Sequence, residues 1–263
     1  IRRPPRSTPK PSSAASDVYK RQVTNLSKSY KNKKVLREIN LNVSYGESVA
    51  LIGSNGSGKS TLIKCLLGLT NIEKGEIYTN QIRLNMKNNN LLKFYRRDIA
   101  FIWQTHNLVP RLSVLSNVIH GSLNSHPNPR LWYQAFAPSE IRSRALNCLD
   151  QVGLKNFAKN NVNTLSGGES QRVAIARALM QKPKLMIADE PVASLDPKVG
   201  IEVMNLLKDL TLKQGITLFF TTHDLKHAEH YANRVIGLKD GVIKINIKSK
   251  ELNELDVDEF YAA

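Results

Sequence analysis

The sequence predicts an α/β fold: a mostly parallel sheet covered on both faces, joined to an antiparallel β region and interrupted by a helical insertion. Three observations lead there. Short apolar runs that read as strands alternate with runs that read as helices, the pattern of a parallel sheet with crossover helices. Two of the strands, KLMIADE (184–190) and ITLFFTTH (216–223), are apolar at nearly every position, as strands buried on both faces are. A third, SVALIG (48–53), ends directly in a glycine-rich loop.

The elements follow in order. VTNLSKSY (23–30) and LREINLNVSYGE (36–47) alternate apolar and polar residues, so they read as half-exposed antiparallel strands. After the buried strand and the glycine loop, STLIKCLLGL (60–69) reads as a helix and GEIYTN (75–80) as a strand following a turn. IAFIWQ (99–104) is another apolar strand. Residues 107–162 contain no strong strand, and IRSRALNCLDQVGL (141–154) is an amphipathic helix closed by Gly153. GSLNSHPNPRLWYQAFAPSE (121–140) is the least regular stretch and is expected to be a surface excursion. RVIGLKDGVIKIN (234–246) carries the hairpin signal Asp240-Gly241. The expected domain limits are a sheet core at about 23–90 and 163–245, a helical subdomain at about 91–162 and a C-terminal extension at about 246–263.

Composition narrows the function classes. The chain has 263 residues, is 41% hydrophobic and carries a formal charge of +16. Residues 1–22 hold six basic residues and one acid, +5 of that total, which leaves +11 for the rest. This Pro/Ser-rich segment cannot build a core. It lacks an initiator methionine and resembles translated sequencing-adapter read-through, so a disordered, non-native tail is expected. No apolar run approaches the roughly 20 residues that cross a bilayer, and the first residues lack the apolar centre of a signal peptide. Cys65 and Cys148 have no paired spacing, which fits small buried residues in a reducing compartment.

The chemistry begins at GSNGSGKST (53–61). Gly53, Gly58, Lys59 and Ser60 match GxxxxGK[ST] between a strand and a helix, the context this phosphate cradle needs. Ser54, Asn55, Gly56, Ser57 and Thr61 complete the loop, whose backbone wraps phosphates while Lys59 supplies charge and Ser60 a hydroxyl for Mg²⁺. GxGxxG is absent, which excludes the dinucleotide-binding reading. Asp189 ends a buried strand, as an acid that holds Mg²⁺ does. Glu190 follows at once, where a carboxylate can orient or deprotonate an attacking water.

A second anion-receiving helix start lies at LSGGESQRVAIARAL (165–179), where Ser166, Gly167, Gly168 and Glu169 precede an alanine-rich helix. Alone it would read as a helix cap with a flexible lead-in. HDLKHAEH (223–230) invites a metal reading, but His223 ends an apolar run and stands off the following helix. His227 and His230 then read as solvated helix residues.

These motifs, in this order, resemble the ABC ATPases over about residues 23–245. The resemblance implies a P-loop NTPase (RecA-like) core with an antiparallel β subdomain and an inserted α-helical subdomain, of ABC ATPase type. Tyr30 stands where an aromatic stacks on adenine, although it also reads as an ordinary strand aromatic. Gln104 stands where a glutamine senses Mg²⁺ and the water, and Asp196 where the D-loop aspartate lies in Ser194–Asp196. His223 stands where a histidine contacts the γ-phosphate and positions the glutamate. The resemblance also implies why there are two cradles. Two copies pack head to tail around two Mg-ATP, and Ser166 with the Gly167 and Gly168 amides covers the nucleotide held by the other copy's loop.

Within the family, RLSVLSNVIHG (111–121), ADEPVASLDP (188–197) and YANRVIGLKDGVI (231–243) resemble phosphonate-import ATP-binding subunits. That implies a homodimer on the cytoplasmic side of the membrane, working with an integral-membrane permease and a substrate-binding protein. The permease would dock beside the Gln104 loop, at about residues 91–125. TTHD (221–224) departs from that subfamily, so another ABC importer or exporter is the alternative. The basic charge raises a soluble ABC ATPase acting on nucleic acid or ribosomes. No coiled-coil insertion and no second cassette support it, and no nucleic-acid partner is expected.

Overall fold

The computed structural model describes residues 20–31, 33–125, 128–252 and residue 260. Its centre is a six-stranded sheet in the order β10-β9-β3-β8-β7-β6: β3 (Ser48–Ile52), β6 (Ile99–Ile102), β7 (Leu185–Ala188), β8 (Thr217–Thr221), β9 (Arg234–Lys239) and β10 (Val242–Lys248). All neighbours are parallel except the edge pair β9–β10. Every residue of β7 and β8 is buried, as the apolar runs predict.

Side-chain alternation divides these strands between two cores. Ala50, Ile52, Ala100, Ile102, Met186, Ala188, Leu218 and Phe220 enter the larger one. Val49, Leu51, Ile99, Leu185, Ile187 and Phe219 enter the smaller one. A sheet that feeds two cores cannot show an amphipathic pattern, which is why its strands read as continuous apolar runs.

The smaller core is closed by a four-stranded antiparallel sheet, β2-β1-β4-β5, formed by β1 (Lys20–Tyr30), β2 (Lys33–Ser44), β4 (Lys74–Thr79) and β5 (Ile82–Arg83). In β2, Leu36, Ile39, Leu41 and Val43 face inward, and register shifts in the β1–β2 pairing accommodate the break in period. The boundary placed at residue 23 moves: Arg21 and Gln22 already pair with both β2 and β4. Arg21 is 3% exposed, donates to the Tyr95 hydroxyl (2.7 Å) and lies 4.6 Å from that ring's centre. Main-chain pairing is indifferent to side-chain polarity, so a basic segment can enter a strand when one aromatic shelters its arginine. The rest of the expected tail, residues 1–19, lies outside the described residues.

The helices are α1 (Lys59–Leu66), α2 (Asn89–Arg97), α3 (Val114–Ile119), α4 (Ser139–Gln151), α5 (Gly167–Met180), α6 (Pro197–Gln214) and α7 (Leu225–Tyr231). The helical subdomain does not begin at residue 91. Leu92 and Tyr95 of α2 lie in the smaller core, and β6 is an edge of the parallel sheet. The helices that pack on α5 start at Val114, with α3 and α4 sharing the larger core. Gly153 closes α4 with φ 74°. Within 121–140 the chain forms short 3₁₀ turns anchored by buried Leu131 and Ala137. His126 and Pro127 lie outside the described residues.

Asp240 and Gly241 both adopt positive φ (50° and 74°) and join β9 to β10 with a two-residue turn, as the Asp-Gly signal predicts. Cys65 and Cys148 are free and buried, and burial pushes both thiols up to about 11. Of the expected C-terminal extension, β10 runs to Lys248 and Phe260 is buried in the larger core. The residues between 252 and 260 lie outside the described set.

Candidate nucleotide-binding site

The loop between β3 and α1 follows from its glycines. Gly53 has φ 154°, and a Cβ there would sit 2.3 Å from the Leu238 carbonyl oxygen and 2.7 Å from the Ser57 hydroxyl. Only glycine lets the chain turn this close to β9. Ser57 is buried, and its carbonyl accepts from the Gly241 amide (3.1 Å), which ties the loop to the β9–β10 turn. Ser54, Asn55, Gly56 and Ser60 are left exposed along the open side, with Thr61 half-buried behind them.

Lys59 is 7% exposed, and its Nζ donates to the carbonyls of Gly53 (2.7 Å) and Ser54 (3.2 Å). Burial lowers its pKa, and the charges of Glu190 and Asp189 oppose that shift. Two carboxylates of β7's end therefore lie within electrostatic reach of the loop.

Those carboxylates are held by their neighbours in the sheet. The Asp189 amide donates to the Ile102 carbonyl (3.0 Å), continuing the β6–β7 pairing. Glu190 leaves the strand with φ 46°, a left-handed conformation that costs a non-glycine residue about 1 kcal/mol or more. Its carboxylate meets His223, its expected partner, and Gln104, which the resemblance assigns to Mg²⁺ and the water. Oε1 lies 2.7 Å from His223 Nε2, and Oε2 accepts from Gln104 Nε2 at 3.2 Å. His223 follows β8 and Gln104 follows β6, so the three side chains come from the ends of three adjacent parallel strands. That is where α/β sheets place their ligand sites.

Thr221 escaped the sequence reading. It is fully buried, donates its hydroxyl to Asp189 Oδ1 (2.7 Å) and accepts from the Glu190 amide (2.8 Å). The signal was available: a hydroxyl in an all-buried strand beside the Asp-Glu pair needs polar partners.

The other predicted residues make no hydrogen bond to this group among the described residues. Ser166 caps α5 in a capping box: the Glu169 amide donates to Ser166 Oγ (3.3 Å), and Glu169 Oε2 accepts from the Ser166 amide and hydroxyl, each at 2.8 Å. Those hydrogen bonds hold the Glu169 carboxyl below its ordinary pKa. Ser166 and Gly167 are exposed. Gly168 is packed under α6, where a Cβ would lie 2.4 Å from the Val199 side chain. Asp196 is exposed and caps α6, accepting from the Lys198 amide (2.9 Å). Among the described residues, no hydrogen bond joins the Ser166 segment to the glycine loop or to Glu190. Tyr30 is 45% exposed at the end of β1, with the Lys28 ammonium 5.0 Å from its ring centre.

No metal-binding cluster of histidine, cysteine or carboxylate forms among the described residues. His230 is exposed, as expected. His227 is half-buried instead, its ring 5.6 Å from that of Tyr231 and its Nε2 3.7 Å from Asp224.

Residues 36–193 match the ABC transporter family model. The chain belongs to the ABC transporter family, as one of its ATPases. The match spans the glycine loop, Gln104, the Ser166 segment and the Asp189–Glu190 pair. Across 241 residues the chain is 37% identical to the Phosphonates import ATP-binding protein PhnC 2 of Oceanobacillus iheyensis, covering 91% of this chain and 94% of that one. It is 40% identical over 244 residues to the Phosphonates import ATP-binding protein PhnC of Escherichia coli O157:H7, covering 91% and 93%. A solved dimer of the ATP-binding cassette MJ0796, in a post-hydrolysis state with ADP and Pi, superposes with a TM-score of 0.74 at 38% identity. That superposition covers 88% of this chain and all of the other. The α/β architecture with a helical segment is thus the fold of an ABC ATPase, and nucleotide is its ligand.

Proposed function

We propose that this chain binds Mg-ATP between two copies of itself and hydrolyses it to drive a membrane permease for phosphonate uptake. The carrying observation is the Glu190 carboxylate held between the Gln104 amide and the His223 imidazole, with Lys59 in electrostatic reach. The residues fit a triphosphate and a divalent cation. Lys59, whose ammonium is satisfied by loop carbonyls, has phosphate oxygens as natural replacement acceptors, and the exposed loop amides receive the rest. Ser60, Asp189 and Gln104 supply oxygen ligands of the kind Mg²⁺ prefers. When bound, that ion offsets charge on the phosphates.

Glu190 takes the proton of the attacking water, and His223 keeps the carboxylate turned toward it. As the water oxygen bonds to the γ-phosphorus, the bond from that phosphorus to the bridging oxygen breaks and ADP leaves with the electron pair. The protonated glutamate gives its proton to the inorganic phosphate formed. Tyr30 offers a face to adenine. Ser166 with the Gly167 and Gly168 amides, and Asp196, act at the copy facing them. Their lack of hydrogen bonds to this chain's own loop, together with the dimeric MJ0796 relative, supports that arrangement.

No helix among the described residues is long and apolar enough to cross a membrane. A permease therefore supplies the crossing, and a substrate-binding protein supplies the cargo. A groove of about 440 Å³ lined by Leu69, Trp103, His120 and Arg177, among others, suits a short permease helix at the cytoplasmic face. Leu69 and Trp103 are exposed there.

Because Glu190 handles the water, Glu190→Gln should still bind ATP while turnover falls at least about 100-fold. Phosphate release at the normal rate would remove the assignment. For the cargo, deleting the gene should abolish growth on a phosphonate as sole phosphorus source, and unchanged growth would reject it. A different ABC cargo is the second reading: the chain is as similar to MJ0796 (38%) as to the phosphonate-import proteins (37–40%), and it keeps Thr222-His223-Asp224.

A further inference from the structure

Arg177, one of the residues lining that groove, also makes a polar arrangement to which the reading above gives no part in hydrolysis. It lies about three turns along the helix that Ser166 caps. Its Nη1 donates to the Asn107 carbonyl (2.7 Å) and its Nη2 to the His106 carbonyl (2.8 Å). Those carbonyls belong to the loop that carries Gln104. His106 and Asn107 both hold left-handed backbone, with φ 53° and 49°. The loop is curled on itself, with the His106 amide donating to Trp103 and the Asn107 amide to Thr105. A tight turn made from two such non-glycine residues relaxes unless something outside it holds it. The guanidinium fork does so with two charge-assisted bonds, a geometry a single ammonium cannot reproduce.

The same arginine is fixed from the other side. Gly121, just beyond α3, lies so close that a Cβ there would sit 2.2 Å from the Arg177 carbonyl oxygen. Arg177 is therefore where α5, the end of α3 and the Gln104 loop meet, and it lines the groove between them together with Trp103, Asn107 and His120. Gln104 reaches Glu190 at 3.2 Å, long enough that a small shift of its loop breaks the contact.

We infer that Arg177 is a positioning residue for Gln104. Its fork pins the loop to α5, so the amide's reach to Glu190 follows where that helix and the groove walls stand. The inference rests on the roles given above to Gln104 and Glu190. It ties the tip that serves the second copy's nucleotide to the glutamine that serves this chain's own.

A kinetic double-mutant cycle on the full chain tests it, using Arg177→Lys and Gln104→Ala, with kcat and KM for Mg-ATP and a thermal melt for each. Arg177→Lys should lower kcat roughly ten- to a hundredfold with KM little changed. In the Gln104→Ala background it should lower kcat no further. An equal loss in both backgrounds would make Arg177 a merely structural residue and overturn the inference, as would a change confined to KM or a normal kcat. Normal turnover by Gln104→Ala alone would remove the catalytic role of Gln104 and this inference with it, while leaving the Glu190→Gln result to stand or fall separately. If Arg177→Lys does not fold, Asn107→Val takes its place. A β-branched residue resists φ near +49° and withdraws the same carbonyl from the surface side, so the same cycle and the same outcomes apply.

Discussion

The hydroxyl of Thr221 joins the two acids at the end of β7: it donates to the Asp189 carboxylate and accepts from the Glu190 amide. Those bonds fix one acid as it leaves the sheet and stabilise the left-handed turn that aims the next toward Gln104 and His223. Removing such a hydroxyl from a buried site leaves an acceptor and a donor unpaired, at about 1–3 kcal/mol. Thr221→Val, which keeps the shape, should therefore lower kcat by roughly tenfold and raise the Mg²⁺ concentration needed for half-maximal turnover. Thr221→Ser should restore both. A valine variant with ordinary kcat and Mg²⁺ dependence would show that the hydroxyl serves packing alone. The residue types at 189, 190 and 223 were legible because their chemistry is narrow. Thr221 was not, since threonine is common in strands and only the facing strand gives its hydroxyl a purpose.

Among the elements, α5 shows most clearly how a local signal and a distant one share residues. Ser166 and Glu169 form the capping box that S-x-x-E predicts, while Gly167 and Gly168 are the first two residues of the helix. Ser166→Ala should cost about 1 kcal/mol and lower the melting temperature by roughly 2–4 °C. Ser166→Gly, which caps nearly as well, should lose only a fraction of that. Equal melting of all three proteins would mean that the cap contributes nothing to the fold. Other elements were harder to place from sequence. The strand β6 and the helix α2 precede the helical insertion, yet both belong to the sheet layers. Their short apolar runs carry no mark of the layer that receives them.

For the whole molecule, the absence of any hydrogen bond between the Ser166 tip and the loop of Lys59, among the described residues, is the feature with the clearest consequence. If each tip completes the other copy's site, then a Ser166→Arg chain and a Lys59→Ala chain, each inactive alone, should recover ATP turnover when mixed. One dimer then contains one intact loop facing one intact tip. Mixed dimers that form and stay inactive would contradict the shared site. The same scale explains the two cores. A sheet of six strands sends alternate side chains to opposite faces, so the antiparallel sheet with α1 and α2 on one side and the other helices on the opposite side fold against a common layer.

Sequence alone determined the local conformations and the reactive groups: the loop needing glycines at 53 and 58, the Asp240-Gly241 turn, the cap at Ser166, and the lysine, acids and histidine that suit phosphate chemistry. These are settled by backbone sterics and functional groups within a few residues, so they survive without knowing the fold. Tertiary structure alone decided that β1 begins at Lys20, that α2 and β6 sit in the sheet layers, and that Gln104 and Thr221 bond to the acids at the end of β7, beside the expected partner His223. It alone set Arg177 on the Gln104 loop. Those relations join residues dozens of positions apart, and they depend on which strands become neighbours, which no local pattern encodes.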